Sequence, residues 1–240
     1  MDKRQPHNYV INYKVLRRSI GILGIALPIV LVLGSFILFE CDQIFHSISY
    51  YYHTGMRNVL VAILASLAFF LFSYKGPDPI DLIMSRIASF LALIIALFPT
   101  KGHQELRTVF TENFDSGMDA LMKQFQNCDR VALYDNELTQ TIHLIAAALF
   151  LLVLAFMSWF LFTRSDPSSP ITDQKKKRNV IFRVCAIIIL FCVVASGVIF
   201  FVFNEWIESA TKPIFWLESI ALWAFGTSWL IKGDTIFSDP

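Results

Sequence analysis

Six long apolar runs alternate with shorter polar segments along the chain. A bilayer core about 30 Å thick needs roughly 20 apolar residues per helix, and backbone groups in lipid must be satisfied inside the segment. The pattern therefore predicts an all-α, polytopic bundle of six transmembrane helices in a single membrane domain over residues 1–240. The first run is too long for a signal peptide, and FILFECDQ offers no small-x-small cleavage site, so we expect a helix there. The predicted helices cover approximately residues 19–39, 56–74, 82–98, 142–162, 180–203 and 214–231.

The composition agrees with a membrane location. The chain is 55% hydrophobic and 16% charged, with a mean hydropathy of +0.57, whereas soluble domains are about 25% charged. A net charge of +1 gives no indication of a nucleic-acid partner. No P-loop, dinucleotide fingerprint, nucleophile elbow or Cys-x-x-Cys occurs, so nucleotide chemistry is not supported. The expected partners are membrane lipids, and the oligomeric state is left open.

The basic residues predict the orientation of the helices. Loops on the cytoplasmic side of a membrane carry an excess of Lys and Arg. Because one alternate set of segments is richer in such residues, we expect both termini to face the cytoplasm. That set contains Lys3, Arg4, Lys14, Arg17, Arg18, Lys75, Arg164, Lys175 to Arg178 and Lys232. The opposite set mixes its cations with many carboxylates; its cations are Arg57, Lys101, Arg107, Lys123, Arg130 and Lys212.

The longest loop, over 100–140, falls on the outer side in this threading. Apolar residues at helical spacing predict an amphipathic helix near 115–127, which either caps an outer cavity or shields the top of the bundle. Cys41 and Cys128 also fall on the outer side, where they could form a disulfide or remain free thiols. Cys185 and Cys192 lie inside the fifth helix.

The stretch SISYYYHTGMRN, over 47–58, separates the first two apolar runs. Its three tyrosines are typical of an outer aromatic belt, together with Trp206 and Trp216. Trp159 and Trp229 would then form the inner belt.

Several ionisable residues lie near the outer ends of the predicted helices. Ser49, His53 and Arg57 would share one face if the second helix began within that stretch. His143 and Glu218 lie about one turn into the fourth and sixth helices. Because a charge in a membrane needs a partner, we expect Arg57 to pair with Glu218, as part of a site or as a structural tie.

These positions predict an outer-facing polar pocket between the second, fourth and sixth helices. It would bind a lipid headgroup or a small amphiphile without a cofactor. Arg57 would supply the contact to an anionic group of the ligand, and Glu218 would orient that contact. His53 and His143 would add hydrogen bonds that respond to pH.

A zinc site is the alternative, with His53, His143 and Glu218 as ligands and Ser49 positioning the attacking water. The Ser-x-x-x-His spacing from Ser49 to His53 resembles the alkaline ceramidases and progestin-receptor-like membrane hydrolases. That resemblance implies zinc-dependent hydrolysis of a lipid amide or ester. The fifth and sixth helices here lack the second, His-x-x-x-His motif of those proteins.

A second resemblance spans nearly all six helices. It rests on the segments SISYYYHTGMRNVLVAILASLAFFLFSYKG, ALFPT, IHLIAAALFLLVLAFMSWFLFT, KKKRNVIFRVC and FWLESIALWAFGTSWLIKG. In these the chain resembles a family of uncharacterised six-helix bacterial integral membrane proteins, and the SIS...TG segment is distantly similar to DRAM-like families. The resemblance implies this topology and a bacterial inner-membrane location, with no established activity to carry over. It also implies that six polar positions belong to one shared constellation: Ser49, Tyr52, His53, Arg57, His143 and Glu218.

Overall fold

The regular secondary structure of the described residues is helical. The structure is a computed structural model, and it describes residues 13–39, 41, 43–100, 136–165, 171–203 and 211–233. These residues form no strand, and a 3₁₀ helix over Ser49–His53 and a π turn over Met157–Leu161 supplement the α-helices. The α-helices are α1 Tyr13–Phe39, α2 Arg57–Ser73, α3 Pro79–Leu97, α4 Glu137–Phe156, α5 Asp173–Val202 and α6 Pro213–Lys232.

The helices have the character of membrane spans. Within the described residues, α1, α3, α5, α6 and α4 with its π turn are each long and apolar enough to cross a membrane. The remaining helix, α2, is apolar but has 17 residues. The all-helical class is therefore confirmed, while six spans and the cytoplasmic position of both termini stay predictions.

The six helices form a ring in chain order. Each packs against the helices that precede and follow it, and α6 closes the ring against α1. Arg17 Nη1 lies 3.2 Å from the Lys232 carbonyl oxygen, and Arg18 Nε lies 3.0 Å from that of Gly233. The two ends of the described chain thus lie at the same end of the ring.

Glycines bring α1 and α6 into backbone contact. A Cβ atom on Gly226 would lie 2.6 Å from the Gly21 carbonyl oxygen, and one on Gly21 would lie 2.7 Å from that of Gly226. A Cβ on Gly24 would lie 2.8 Å from the Phe225 ring. Small residues of this kind allow membrane helices to approach closely. This close contact of α1 with α6, here called the seam, explains why α1 carries glycine at positions 21 and 24.

The outer surface of the ring is apolar. Large hydrophobic side chains are exposed on each of the six helices, among them Ile37 at 73%, Phe90 at 65% and Phe191 at 66%. Soluble monomers rarely expose apolar surface of this extent. It is the surface expected where helices face lipid tails.

The tyrosines do not form the predicted outer belt. Tyr50 and Tyr51 are buried, and Tyr51 is 0% exposed. Tyr51 packs edge-on against Phe45, with ring centres 5.2 Å apart. The prediction missed this because a belt tyrosine and a core tyrosine look alike in sequence. Only Tyr52 of the three is partly exposed.

The inner tryptophan belt is also partly wrong. Trp229 is fully buried, with its ring centre 5.0 Å from Tyr74 and 5.2 Å from Phe162. Trp159 is partly buried and Trp216 is exposed, as belt residues can be. Trp206 lies outside the described residues.

Two predictions fall wholly or partly outside the described residues. These are the amphipathic helix near 115–127 and the position of Cys128. Cys41 is buried and disulfide-bonded, but its pairing with Cys128 stays a prediction. Cys185 and Cys192 are buried free thiols in α5.

Candidate functional site

The polar stretch between α1 and α2 forms a separate 3₁₀ helix because its own side chains bond its backbone. Ser47 Oγ accepts a hydrogen bond from the Tyr50 N–H at 3.1 Å, near the beginning of this helix. After its end, the Thr54 hydroxyl donates to the Tyr51 carbonyl at 2.9 Å and accepts from the Met56 N–H at 3.1 Å. Ser and Thr side chains compete in this way with continuous helix. The chain therefore turns before α2 begins.

This break separates residues that one continuous helix would have aligned. Ser49 and His53 belong to the 3₁₀ helix, whereas Arg57 is the first residue of α2. Arg57 donates to the Tyr52 hydroxyl at 2.8 Å and lies 4.3 Å from the centre of that ring. Arg57 and Glu218 form no ion pair with each other, so the expected pairing is wrong. The exposed arginine instead has an aromatic partner five residues earlier.

Glu218 holds the 3₁₀ helix against α6. Its Oε2 accepts a hydrogen bond from the Ile48 N–H at 2.6 Å. One turn earlier in α6, the Phe215 N–H donates to the His46 carbonyl at 3.0 Å. Hydrogen bonds to a carboxylate are short and strong. These two contacts fix the position of Ser49, the residue that follows.

Both predicted histidines bond the chain just after α3. His53 Nε2 lies 2.8 Å from the Thr100 carbonyl oxygen, and His143 Nδ1 lies 2.6 Å from that of Phe98. A carbonyl only accepts, so each of these ring nitrogens carries the donated proton. The remaining nitrogen of His143, Nε2, lies 2.8 Å from Ser49 Oγ.

A cavity of about 650 Å³ opens between α4, α5 and α6 at this end of the ring. Polar side chains line part of its wall and apolar side chains line the rest. Among the described residues, Glu218 is the only carboxylate in the lining, and no lysine or arginine contributes to it. The polar part is formed by His46, Ser47, Ser49, Thr100, Gln140, His143, Ser196 and Glu218.

A second cavity of about 70 Å³ lies on the other side of the same polar residues. Leu27, Leu60 and other apolar side chains of the bundle interior surround it. Ser49, His143 and Glu218 line both cavities. They therefore form a polar wall between the larger cavity and the centre of the ring.

The structure thus brings together part of the predicted constellation. Ser49, His143 and Glu218 line the large cavity, and Tyr52 lines the small one. His53 is buried beside Thr100 and lines neither, and Arg57 points to Tyr52 on the exposed side. The site therefore forms between α4, α5 and α6, with the 3₁₀ helix in place of α2.

The geometry gives no support to the zinc alternative. No three His, Cys, Asp or Glu side chains among the described residues could hold one metal ion. His53 and His143 instead bond carbonyls of the segment just after α3, and Glu218 bonds the Ile48 N–H. The zinc hypothesis stays a prediction, which metal analysis of the purified protein can test against about one zinc per chain.

Sequence reasoning missed the contribution of α5 to the cavity. Ser196 and Gly197 line it, and a Cβ on Gly197 would meet none of the described residues within 4 Å. Gln140 lines it from α4, one turn before His143. The spacing of Gln140 and His143 on one helix face was a usable signal, whereas the isolated Gly197 carried none.

The fold and its apolar surface are those of a helical membrane protein, and the described helices enclose a cavity at one end of the ring. No family model, curated protein or solved structure matches this chain. The resemblances in sequence to membrane families therefore stay predictions.

Proposed function

We propose that this membrane protein binds a lipid or another amphiphile in the large cavity. The volume of about 650 Å³ falls within the range of about 300–1,000 Å³ that is typical of small-molecule sites. Such sites combine mostly apolar walls with a few converging polar groups.

The separation of polar and apolar residues along α4 is the observation that supports this proposal best. Gln140 and His143 line the cavity near the beginning of α4, and the α4 residues that line it beyond them, from Leu144 to Leu151, are apolar. At 1.5 Å rise per residue, Gln140 and Leu151 are about 16 Å apart along the helix axis. A headgroup bound near His143 would therefore leave room for a hydrocarbon chain beside Leu151.

The lining favours a headgroup that donates hydrogen bonds or carries a positive charge. Glu218 uses one carboxylate oxygen to hold Ile48, which leaves acceptor capacity on the carboxylate for a ligand. Arg57, the expected anion contact, lies outside the cavity lining. An amine or hydroxyl headgroup fits this lining better than a phosphate does.

Native mass spectrometry of the detergent-purified protein tests whether the cavity holds the ligand. We expect a lipid-sized adduct on the wild type that is lost from Gly197→Leu, because the new side chain enters open space in the cavity. Val198→Leu is the matched control, since Val198 is 43% exposed and does not line the cavity. Equal adducts on all three proteins would contradict the proposal.

A second measurement tests the headgroup. Gln at position 218 can still accept from the Ile48 N–H but removes the negative charge. We expect Glu218→Gln to weaken binding of an alkylammonium amphiphile about tenfold or more, with little change for the alcohol of the same chain length. Equal effects on both ligands would show that the charge of Glu218 does not select the headgroup.

A further inference from the structure

Ser49 and His143 form a hydrogen-bonded pair whose proton positions follow from geometry. The Phe98 carbonyl can only accept, so His143 Nδ1, 2.6 Å away, is its donor. In the neutral ring Nε2 then has no proton and accepts the Ser49 hydroxyl at 2.8 Å. The order is hydroxyl, imidazole and orienting acceptor, which is the arrangement that activates a serine nucleophile.

The pair faces space in which a substrate can bind. Ser49 and His143 both line the large cavity, and Ser49 is only half-buried. Gln140, one turn before His143, lines the same cavity. Its side-chain amide is a donor of the kind that stabilises an oxyanion.

We infer that Ser49 is a nucleophile and His143 its general base, and that together they cleave an acyl ester of an amphiphile bound in the cavity. This inference rests on the proposed function, because the bound amphiphile is the substrate. No metal takes part, which distinguishes it from the zinc alternative.

The reaction balances with water as the second reactant. Ser49 Oγ bonds to the acyl carbon while its proton passes to His143 Nε2, and the ester bond breaks as the leaving alcohol takes that proton. Water then attacks the acyl-Ser49 ester, giving a proton to Nε2, and Oγ regains it as the carboxylic acid departs. The Phe98 carbonyl holds Nδ1–H throughout. Because this carbonyl is neutral, it stabilises the imidazolium less than a carboxylate does, so we expect slow turnover.

An alkyl fluorophosphonate probe tests the pair on the full-length protein in detergent. We expect covalent labelling of Ser49, located by peptide mass spectrometry. The labelling should be absent in Ser49→Ala and at least about 100-fold slower in His143→Gln. Ser73→Ala is the control, since Ser73 lies at the end of α2 and does not line the cavity, and it should be labelled like the wild type. Labelling should also persist in a metal chelator.

The outcomes separate this inference from the proposed function. A folded wild type that binds the alkylammonium amphiphile but is not labelled at Ser49 would overturn the nucleophile and leave the binding site standing. Equal labelling rates in His143→Gln and the wild type would overturn the role of His143, provided both unfold at similar temperatures. If the wild type binds no amphiphile, the proposed function itself fails.

Discussion

The polar side chains at the two ends of the helix ring have different surroundings. At the end that contains Gly233, here called the basic end, cationic side chains bond carbonyl oxygens and cover aromatic rings. Arg17 lies 5.5 Å from the centre of the Tyr74 ring, and Lys232 lies 5.4 Å from that of Phe162. At the opposite end, here called the cavity end, Ser49 and its neighbours line the cavity of about 650 Å³.

Packing within the described residues explains why one end is filled and the other holds the cavity. The centre of the basic end is filled by Trp229, Tyr74 and Phe162. Arg17 and Arg18 bond the last carbonyls of α6, where the helix dipole favours positive charge. At the cavity end the 3₁₀ helix takes up the space beside α6, and α4 and α6 make little contact with each other. We therefore expect the basic end to contribute most of the stability and the cavity end to bind the ligand.

Truncating one aromatic residue at each end should give the largest difference between two variants in the free energy of unfolding. Trp229→Ala should lower the free energy of unfolding by about 3–5 kcal/mol, because a fully buried ring leaves a void. Phe200→Ala, in the wall of a cavity that is already open, should cost less than about 1 kcal/mol. Thermal unfolding in one detergent measures both. Equal losses would contradict the assignment of stability to the basic end.

Replacing one glycine at the seam and one at the cavity with alanine should change stability in opposite directions. Gly226→Ala places a Cβ 2.6 Å from the Gly21 carbonyl oxygen, so α1 and α6 must separate, at a cost of about 1–3 kcal/mol. Gly197→Ala meets nothing within 4 Å in the described part of the chain and should gain up to about 1 kcal/mol from helix propensity. The unfolding midpoints should move in opposite directions. A shift in the same direction would show that the seam is not tight.

High pH should weaken the cavity end through Tyr51, which lies outside the membrane-spanning helices. Burial raises the pKa of its hydroxyl to about 12, from an ordinary value of 10. Below pH 10 the tyrosine is neutral in both states, so stability is unaffected. Between pH 10 and 12 the unfolded chain loses the proton first, so stability falls, by about 1 kcal/mol at pH 11.

Tyr51→Phe removes this group and should flatten the decline, as denaturation measured from pH 9 to 11 can show. Tyr51 itself should develop its phenolate absorbance only near pH 12. An identical decline in the wild type and Tyr51→Phe would contradict the burial of this hydroxyl.

The smallest expected effect concerns a hydrogen bond near the basic end. Ser158 donates to Ser228 at 3.0 Å and so joins the π turn after α4 to α6. Hydrogen bonds between membrane helices average about 0.6 kcal/mol. A double-mutant cycle with Ser158→Ala and Ser228→Ala should return a coupling of about that size. A coupling near zero would mean that packing alone holds this contact.

The helices could be predicted from sequence because a helix that spans a membrane requires a long run of apolar residues, and such runs are visible in the sequence. Each predicted run matches a described helix, and the ends differ most at α1 and α5, where polar first turns extend the helices to Tyr13 and Asp173. Hydropathy does not register such turns, although Thr172 accepts from the Lys175 N–H and so caps α5. Length and composition still leave the second span and the orientation as predictions.

The site was only partly predictable, because depth along a helix is easier to infer than direction around it. The depth argument placed Ser49, His143 and Glu218 at one level, and the structure has them along one wall. It misplaced Arg57, since the break at Thr54 and the partner ring of Tyr52 depend on short-range hydrogen bonds. No pattern in the chain indicates that α5 completes the cavity.

Photocrosslinking with a diazirine-bearing alkylammonium amphiphile tests the central claim, ligand binding in the cavity, most directly. On α5, Val193 faces the cavity, whereas Phe191 is exposed on the outer surface. We expect saturable labelling near Val193 and, on α4, near Leu151, which excess unlabelled amphiphile removes, and only unsaturable labelling near Phe191. Labelling that is equally unsaturable at Val193 and Phe191 would contradict the account.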